Sequence, residues 1–278
     1  MQIEFSGNKR EYSFILNKNK KKILNIISSG NFLQGKYNSL LESTVSKILK
    51  CKSYCKAIGS GTDGLYLTLS SINHKKPLKV GVPALTFVAT ANSILRAGHI
   101  PVIIDVNKNG LMNHANLKKK INKLDVLIYV SLYGDNSEYP EIIKLLDKTN
   151  TILIEDAAQS DFPAVYYFPN IKLPYASILS FDPMKIFSAI GSGGMVISYD
   201  AKLRNYINAK TYHGRNKNFW GINSQLSELS AYCIIKKIEY HFLKWRNKRK
   251  KISEKIIKNL PYQVKNISKF SNKNAYHK

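Results

Sequence analysis

Nowhere does the 278-residue sequence hold about 18 uninterrupted apolar residues, and Met1-Gln-Ile-Glu-Phe5 lacks the charged-then-apolar order of a secretion signal. Neither a membrane span nor export is expected, and the chain reads as cytoplasmic. Cysteine is scarce: Cys51, Cys55 and Cys233 are an odd number without framework spacing, which points to free thiols in a reducing compartment. Cys51 and Cys55 sit four apart, but no second close Cys/His pair completes a zinc set, so no metal site is expected. Acidic residues are also few, 18 against 43 Lys and Arg, for a formal charge of +25. Only six of the basic residues are arginine, and the lysines are scattered with asparagine through nearly every segment. That is biased composition more than a shaped patch, so nucleic acid is not the expected partner. The densest basic run, Lys244 to Lys251, reads as a solvated helix face, while the overall field would still draw in a phosphorylated substrate.

What is present suits a sizeable core: 44% hydrophobic and 11% aromatic residues. From about residue 55, short β-branched runs alternate with amphipathic stretches. Strands are expected at Cys55–Ile58, Lys79–Val82, Pro101–Ile104, Val126–Val130, Thr151–Ile154, Ser177–Phe181 and Gly193–Ser198. Helices are expected at Thr62–Ile72, Val88–Ala97, Ala115–Asn122, Glu138–Lys148 and Ala201–Ala209, with a long helical stretch from Ser224 to Leu260. Continuous apolar strands between helices indicate an α/β fold with a parallel sheet covered on both faces, and binding residues should gather at the carboxyl ends of its strands.

Four segments at such ends carry chemistry. Gly59-Ser-Gly-Thr-Asp-Gly64 lies between a strand and a helix, where small residues and a helix N-terminus can receive a phosphate, or can simply form a capped glycine turn. Thr151-Ile-Leu-Ile-Glu-Asp156-Ala-Ala-Gln159 is a buried strand ending in two carboxylates, and a fixed carboxylate can keep a cofactor's ring nitrogen protonated. Ser180-Phe-Asp-Pro-Met-Lys185 places a lysine just past a strand, ahead of Gly191-Ser-Gly-Gly194, where partial desolvation suits an imine-forming amine. Pro83-Ala-Leu-Thr-Phe87-Val-Ala-Thr90 offers an aromatic ring that could lie flat on a pyridine.

Taken in this order, with Gly98-x-x-Pro-Val-x-x-Asp105 between, these strings resemble the DegT/StrS family of pyridoxal-phosphate (PLP) dependent sugar aminotransferases over about residues 30 to 278. The resemblance implies a three-layer α/β/α type I aminotransferase large domain with a mostly parallel sheet, over residues 1–235. Residues 236–278 would begin a small C-terminal domain, truncated where the family continues into further strands. It implies Lys185 as the imine-forming lysine and Asp156 as partner of the pyridine nitrogen. Phe87 and Ala158 would sandwich the ring and Gln159 would bond its phenolic oxygen. Gly61, Thr62 and Ser180 would hold the phosphate. Asn223, in a loop resembling one that crosses a dimer, would meet the neighbouring subunit's phosphate, which makes a homodimer with shared sites part of the expectation. The implied reaction transfers an amino group from an amino acid, glutamate, to a nucleotide-diphosphate keto-sugar for amino-sugar and polysaccharide synthesis. The alternative is a truncated, catalytically weak homologue serving as a binding or assembly partner. Two departures from the family pattern stand out: Asp161–Asn170 and Leu173–Ala176 replace a glycine-rich stretch, and Gln225 stands where many members carry arginine.

Overall fold

A computed structural model describes residues 6–50, 53–72, 75–214 and 220–261. Cys51 and the residues after 261, in which the small domain was expected to continue, lie outside that range. Two helices open the chain, α1 (Asn8–Ser28) and α2 (Lys36–Leu49). Then strands and helices alternate: β1 (Tyr54–Ile58), α3 (Gly61–Ser70), β2 (Lys79–Pro83), α4 (Val88–Arg96), β3 (Ile100–Ile104), α5 (His114–Lys120), β4 (Val126–Val130), α6 (Tyr139–Leu146) and β5 (Ile152–Asp156). The short α7 (Ala164–Tyr167), β6 (Ala176–Ser180), β7 (Gly194–Ser198) and α8 (Ala201–Lys210) follow. Last come α9 (Glu228–Tyr240), a single π-helical turn and α10 (Arg246–Asn259). The domain boundary expected after residue 235 falls inside α9.

The seven strands form one sheet in the order β1-β7-β6-β5-β4-β2-β3. β7 pairs antiparallel with both β1 and β6, and every other pairing is parallel, so β7 alone runs against the rest. This is the mostly parallel sheet expected. Because side chains alternate along a strand, each strand feeds two cores. Val126, Ile128 and Val130 of β4 pack with Leu67 of α3, Ile94 of α4 and Leu203 of α8 on one face. Leu127 and Tyr129 turn to Leu117 of α5 and Ile142 of α6 on the other. The same second face, over β1, β6 and β7, is covered by α1, α2 and α9 through Ile15, Leu41 and Ile234. Each such aliphatic side chain, fully buried, contributes about 2 kcal/mol from the water it leaves.

α9 buries its apolar stripe as far as Ile238, whereas α10 buries none of its residues and carries most of the basic run, with Lys248, Lys250 and Lys251 exposed and Arg246 and Arg249 half-buried. Asp161–Asn170, the segment that departs from the family pattern, sends Phe162 and Val165 into the core; Asp161 itself is buried and bonds His241 Nε2 at 3.1 Å.

Candidate active site

The carboxyl ends of β1, β2, β4, β5 and β6 and the amino end of antiparallel β7 surround a cavity of about 410 Å³. At its β1 side, Ser60 caps α3: its hydroxyl accepts from Asp63 N at 3.1 Å and its carbonyl from Gly64 N at 3.2 Å. The N–H groups of Gly61 and Thr62, at the very end of the helix, have no such partner among the described residues and face the cavity end of the helix dipole. The turn is packed tightly enough to require glycine opposite it. A Cβ on Gly194 of β7 would lie 2.5 Å from Gly61 N and from the Ser60 carbonyl carbon. The Ser224 hydroxyl fixes the turn from behind, accepting from Gly59 N at 3.0 Å and donating to Asp63 Oδ2 at 2.9 Å.

Asp156 ends β5 on the α3/α4 face. Its Oδ2 accepts from the Thr90 hydroxyl at 2.8 Å and its Oδ1 from Ala158 N at 3.1 Å. Burial pushes its pKa above the usual aspartate value, while those two bonds and the Lys185 charge pull it down. A cation placed against this carboxylate would therefore be bound firmly. Its neighbour Glu155 points to the opposite face of the sheet. There it accepts from Ser177 Oγ at 2.6 Å, Ala164 N at 2.7 Å and Ser131 Oγ at 3.3 Å, and complete burial pushes its carboxyl up to about 7.

Lys185 rises from the connection between β6 and β7. That connection is closed at its base by Phe181 N to Gly193 O at 2.8 Å and Ala189 N to Phe181 O at 2.6 Å. A side-chain turn, Met184 N to Asp182 Oδ1 at 2.9 Å, and Lys185 N to Asp182 O at 2.8 Å shape its tip. Lys185 Nζ stands 6.0 Å from the centre of the Phe87 ring, which is 66% exposed at the start of α4 and so offers an open face. Gln159 gives its carbonyl oxygen to Tyr133 N at 2.6 Å, which leaves its amide N–H groups for a ligand.

Eight of the nine expected site residues, Gly61, Thr62, Phe87, Asp156, Ala158, Gln159, Ser180 and Lys185, thus line one cavity. Asn223 does not. It is exposed on the connection before α9, bridged to Tyr212, with Oδ1 accepting from Gln225 Nε2 at 2.7 Å. Thr90 is the cavity residue whose contact the sequence reading missed. Its only local signal is the four-residue spacing from Thr86, whose hydroxyl lies 2.9 Å from that of Thr90.

The description DegT/DnrJ/EryC1/StrS aminotransferase family matches residues 14–277. A pleiotropic regulatory protein of Geobacillus stearothermophilus is 30% identical over 233 residues, covering 81% of this chain and 62% of that protein. The UDP-2-acetamido-2-deoxy-3-oxo-D-glucuronate aminotransferase of Pseudomonas aeruginosa is 29% identical over 85% of this chain and 67% of its own length. Bacillus subtilis NtdA with bound cofactor PMP superposes with a TM-score of 0.84 at 25% identity, over 99% of this chain and 65% of that one. The chain spans about three fifths to two thirds of the length of these proteins. With its cavity at the strand ends and its match over nearly all residues, the chain belongs to the DegT/DnrJ/EryC1/StrS aminotransferase family.

Proposed function

We propose that the chain is a PLP-dependent aminotransferase that takes an amino group from an amino acid, glutamate, and gives it to a keto-sugar carried on a nucleotide diphosphate. The observation that carries this reading is the convergence of Lys185, Asp156 and the Ser60–Thr62 turn on one cavity. The donor set fits the cofactor. Two helix-end N–H groups beside Ser180 suit a phosphate, a buried carboxylate at a strand end suits a protonated ring nitrogen, and the exposed Phe87 face suits the ring. When bound, the cofactor supplies an electron sink for the bonds at the substrate carbon.

Lys185 would hold the cofactor covalently, and its Nζ would take up and return the substrate proton as base and acid. Asp156, held by Thr90 and Ala158, keeps the ring nitrogen protonated, and Gln159 orients the phenolic oxygen through its amide N–H. A net charge of +25 favours the approach of a doubly charged diphosphate. The Pseudomonas relative's keto-sugar substrate, carried on UDP, supports the substrate class.

A second copy of the chain is the natural cover for the apolar rim. Leu85, Phe87, Val88 and Tyr133 are all about half exposed or more, and Asn223 projects on an exposed connection. A catalytically weak assembly partner is not favoured, because the titratable groups that such a protein has no need of converge here. Among the described residues no helix is long and apolar enough to cross a membrane.

Mixing the protein with PLP should produce a visible absorption band that Lys185→Ala abolishes and that glutamate bleaches. A colourless wild type refutes the reading, and a band indifferent to glutamate and to other amino acids refutes the transfer.

A further inference from the structure

The short segment that carries Lys185 is held from outside by α1, which meets it at both flanks. Asn8 Nδ2 donates to Pro183 O at 2.7 Å, and Ser188 Oγ donates to Asn8 Oδ1 at 3.2 Å. One turn further along the same helix face, Tyr12 OH donates to Ser188 O at 2.8 Å. Burial pushes the Tyr12 phenol well above its ordinary pKa, so it stays a donor.

Behind these contacts lies Lys237 of α9, whose side chain is wholly buried. Its Nζ donates to Ser188 Oγ at 2.5 Å, pairs with Glu11 Oε2 at 3.2 Å and stands 3.9 Å over the Tyr12 ring. Glu11 in turn holds Arg249 of α10 at 3.1 Å through Oε1. A buried ammonium is costly unless its hydrogens are taken up, and the partners named here are the Lys185 segment itself and the helix turn that grips it. None of these bonds reaches the Ser60–Thr62 turn or Asp156.

We propose that Asn8, Tyr12 and Lys237 are positioning residues that aim Lys185 at the cofactor without helping to hold the cofactor. The proposal rests on the reading of Lys185 as the attachment point. In that step Lys185 Nζ adds to the aldehyde carbon, a carbon–nitrogen double bond replaces the carbon–oxygen one, and the oxygen leaves as water. A reacting group misplaced by about 1 Å loses on the order of 100-fold in rate, and Lys185 is fixed between the two gripped flanks.

The test uses the full chain with Asn8→Ala and Tyr12→Phe combined, a change that keeps the aromatic ring over Lys237. Stopped-flow absorbance reads the rate of PLP attachment, and equilibrium dialysis reads PLP affinity in a Lys185→Ala background with and without the two changes. The expected result is attachment slowed by about 100-fold with affinity in the Lys185→Ala background unchanged. A loss of affinity when the two changes are added to the Lys185→Ala background would mean a merely structural role and overturns the proposal, as does a wild-type attachment rate. If the double variant does not fold, Tyr12→Phe alone is read by the same criteria. A wild type with no Lys185-dependent band instead removes the premise, overturning both readings, whereas a band formed at the wild-type rate in the variant overturns this one alone.

Discussion

Replacing Glu155 by glutamine should make the protein more stable at alkaline pH and flatten its dependence on pH. Glu155 is completely buried and its carboxyl is pushed from an ordinary value near 4.5 up to about 7. An acid raised in the folded state is favoured there in its neutral form. Its ionisation therefore costs nothing below about 4.5, costs progressively more as pH rises through that interval, and costs its full amount above about 7. A displacement of this size corresponds to about 3 kcal/mol. Asp156, also raised by burial, adds a cost of the same sign that the substitution leaves in place. Asp161, lowered chiefly by the His241 hydrogen bond against the opposing effect of burial, acts only at more acidic pH and stays outside the window.

Glutamine preserves the geometry: its oxygen can accept from Ala164 N, and its amide can donate to the Ser177 hydroxyl. Urea denaturation at pH 5 and pH 8, followed by circular dichroism, reads the effect. With a urea slope of about 3 kcal/mol per molar, the gap between variant and wild type should widen by about 1 M in midpoint from the lower pH to the higher. Parallel pH profiles for the two proteins would refute a carboxyl titrating near 7.

Two further outcomes follow from packing and capping. Gly194→Ala puts a methyl 2.5 Å from backbone atoms of Ser60 and Gly61, which cannot rotate away. The turn must shift by about 1 Å, with a cost of about 1–3 kcal/mol, and PLP affinity measured by dialysis should fall with the urea midpoint; unchanged affinity would contradict the placement of the phosphate. Glu228→Ala uncaps α2, because the buried Glu228 carboxylate accepts from the backbone N–H groups of Gly35, Tyr37 and Asn38 at 3.0, 2.8 and 3.0 Å. Bonds to a charged acceptor are worth about 1.5–3 kcal/mol each, so the loss in denaturation should reach at least about 3 kcal/mol; a loss under about 1 kcal/mol would show that water caps the helix as well.

The strands and the residues that line the cavity were legible because their signals are local. β4 has the expected bounds, Val126–Val130, since five consecutive apolar residues between helices have no other stable place than a sheet buried on both faces. Asp156, Lys185 and Ser60–Thr62 follow from short strings at strand ends. The first two helices were not legible. α1 is rich in Lys and Asn, its buried Ile15, Ile23 and Ile26 are sparse, and Asn19 interrupts the helix by bonding Ile15 O at 2.8 Å. Nonlocal polar contacts left no trace either: Asn8 meets Pro183 and Glu228 caps α2 across more than 170 residues of chain. Asn223 could be placed in an exposed loop, but nothing within one chain assigns it a partner.

Reduction of the PLP-treated protein with borohydride, followed by peptide mapping and mass spectrometry, tests the central claim most directly. The account predicts a single stable pyridoxyl-phosphate adduct, on the peptide containing Lys185 and on none of the other lysine peptides. An adduct spread over surface lysines, or one on a lysine outside the cavity, would contradict it.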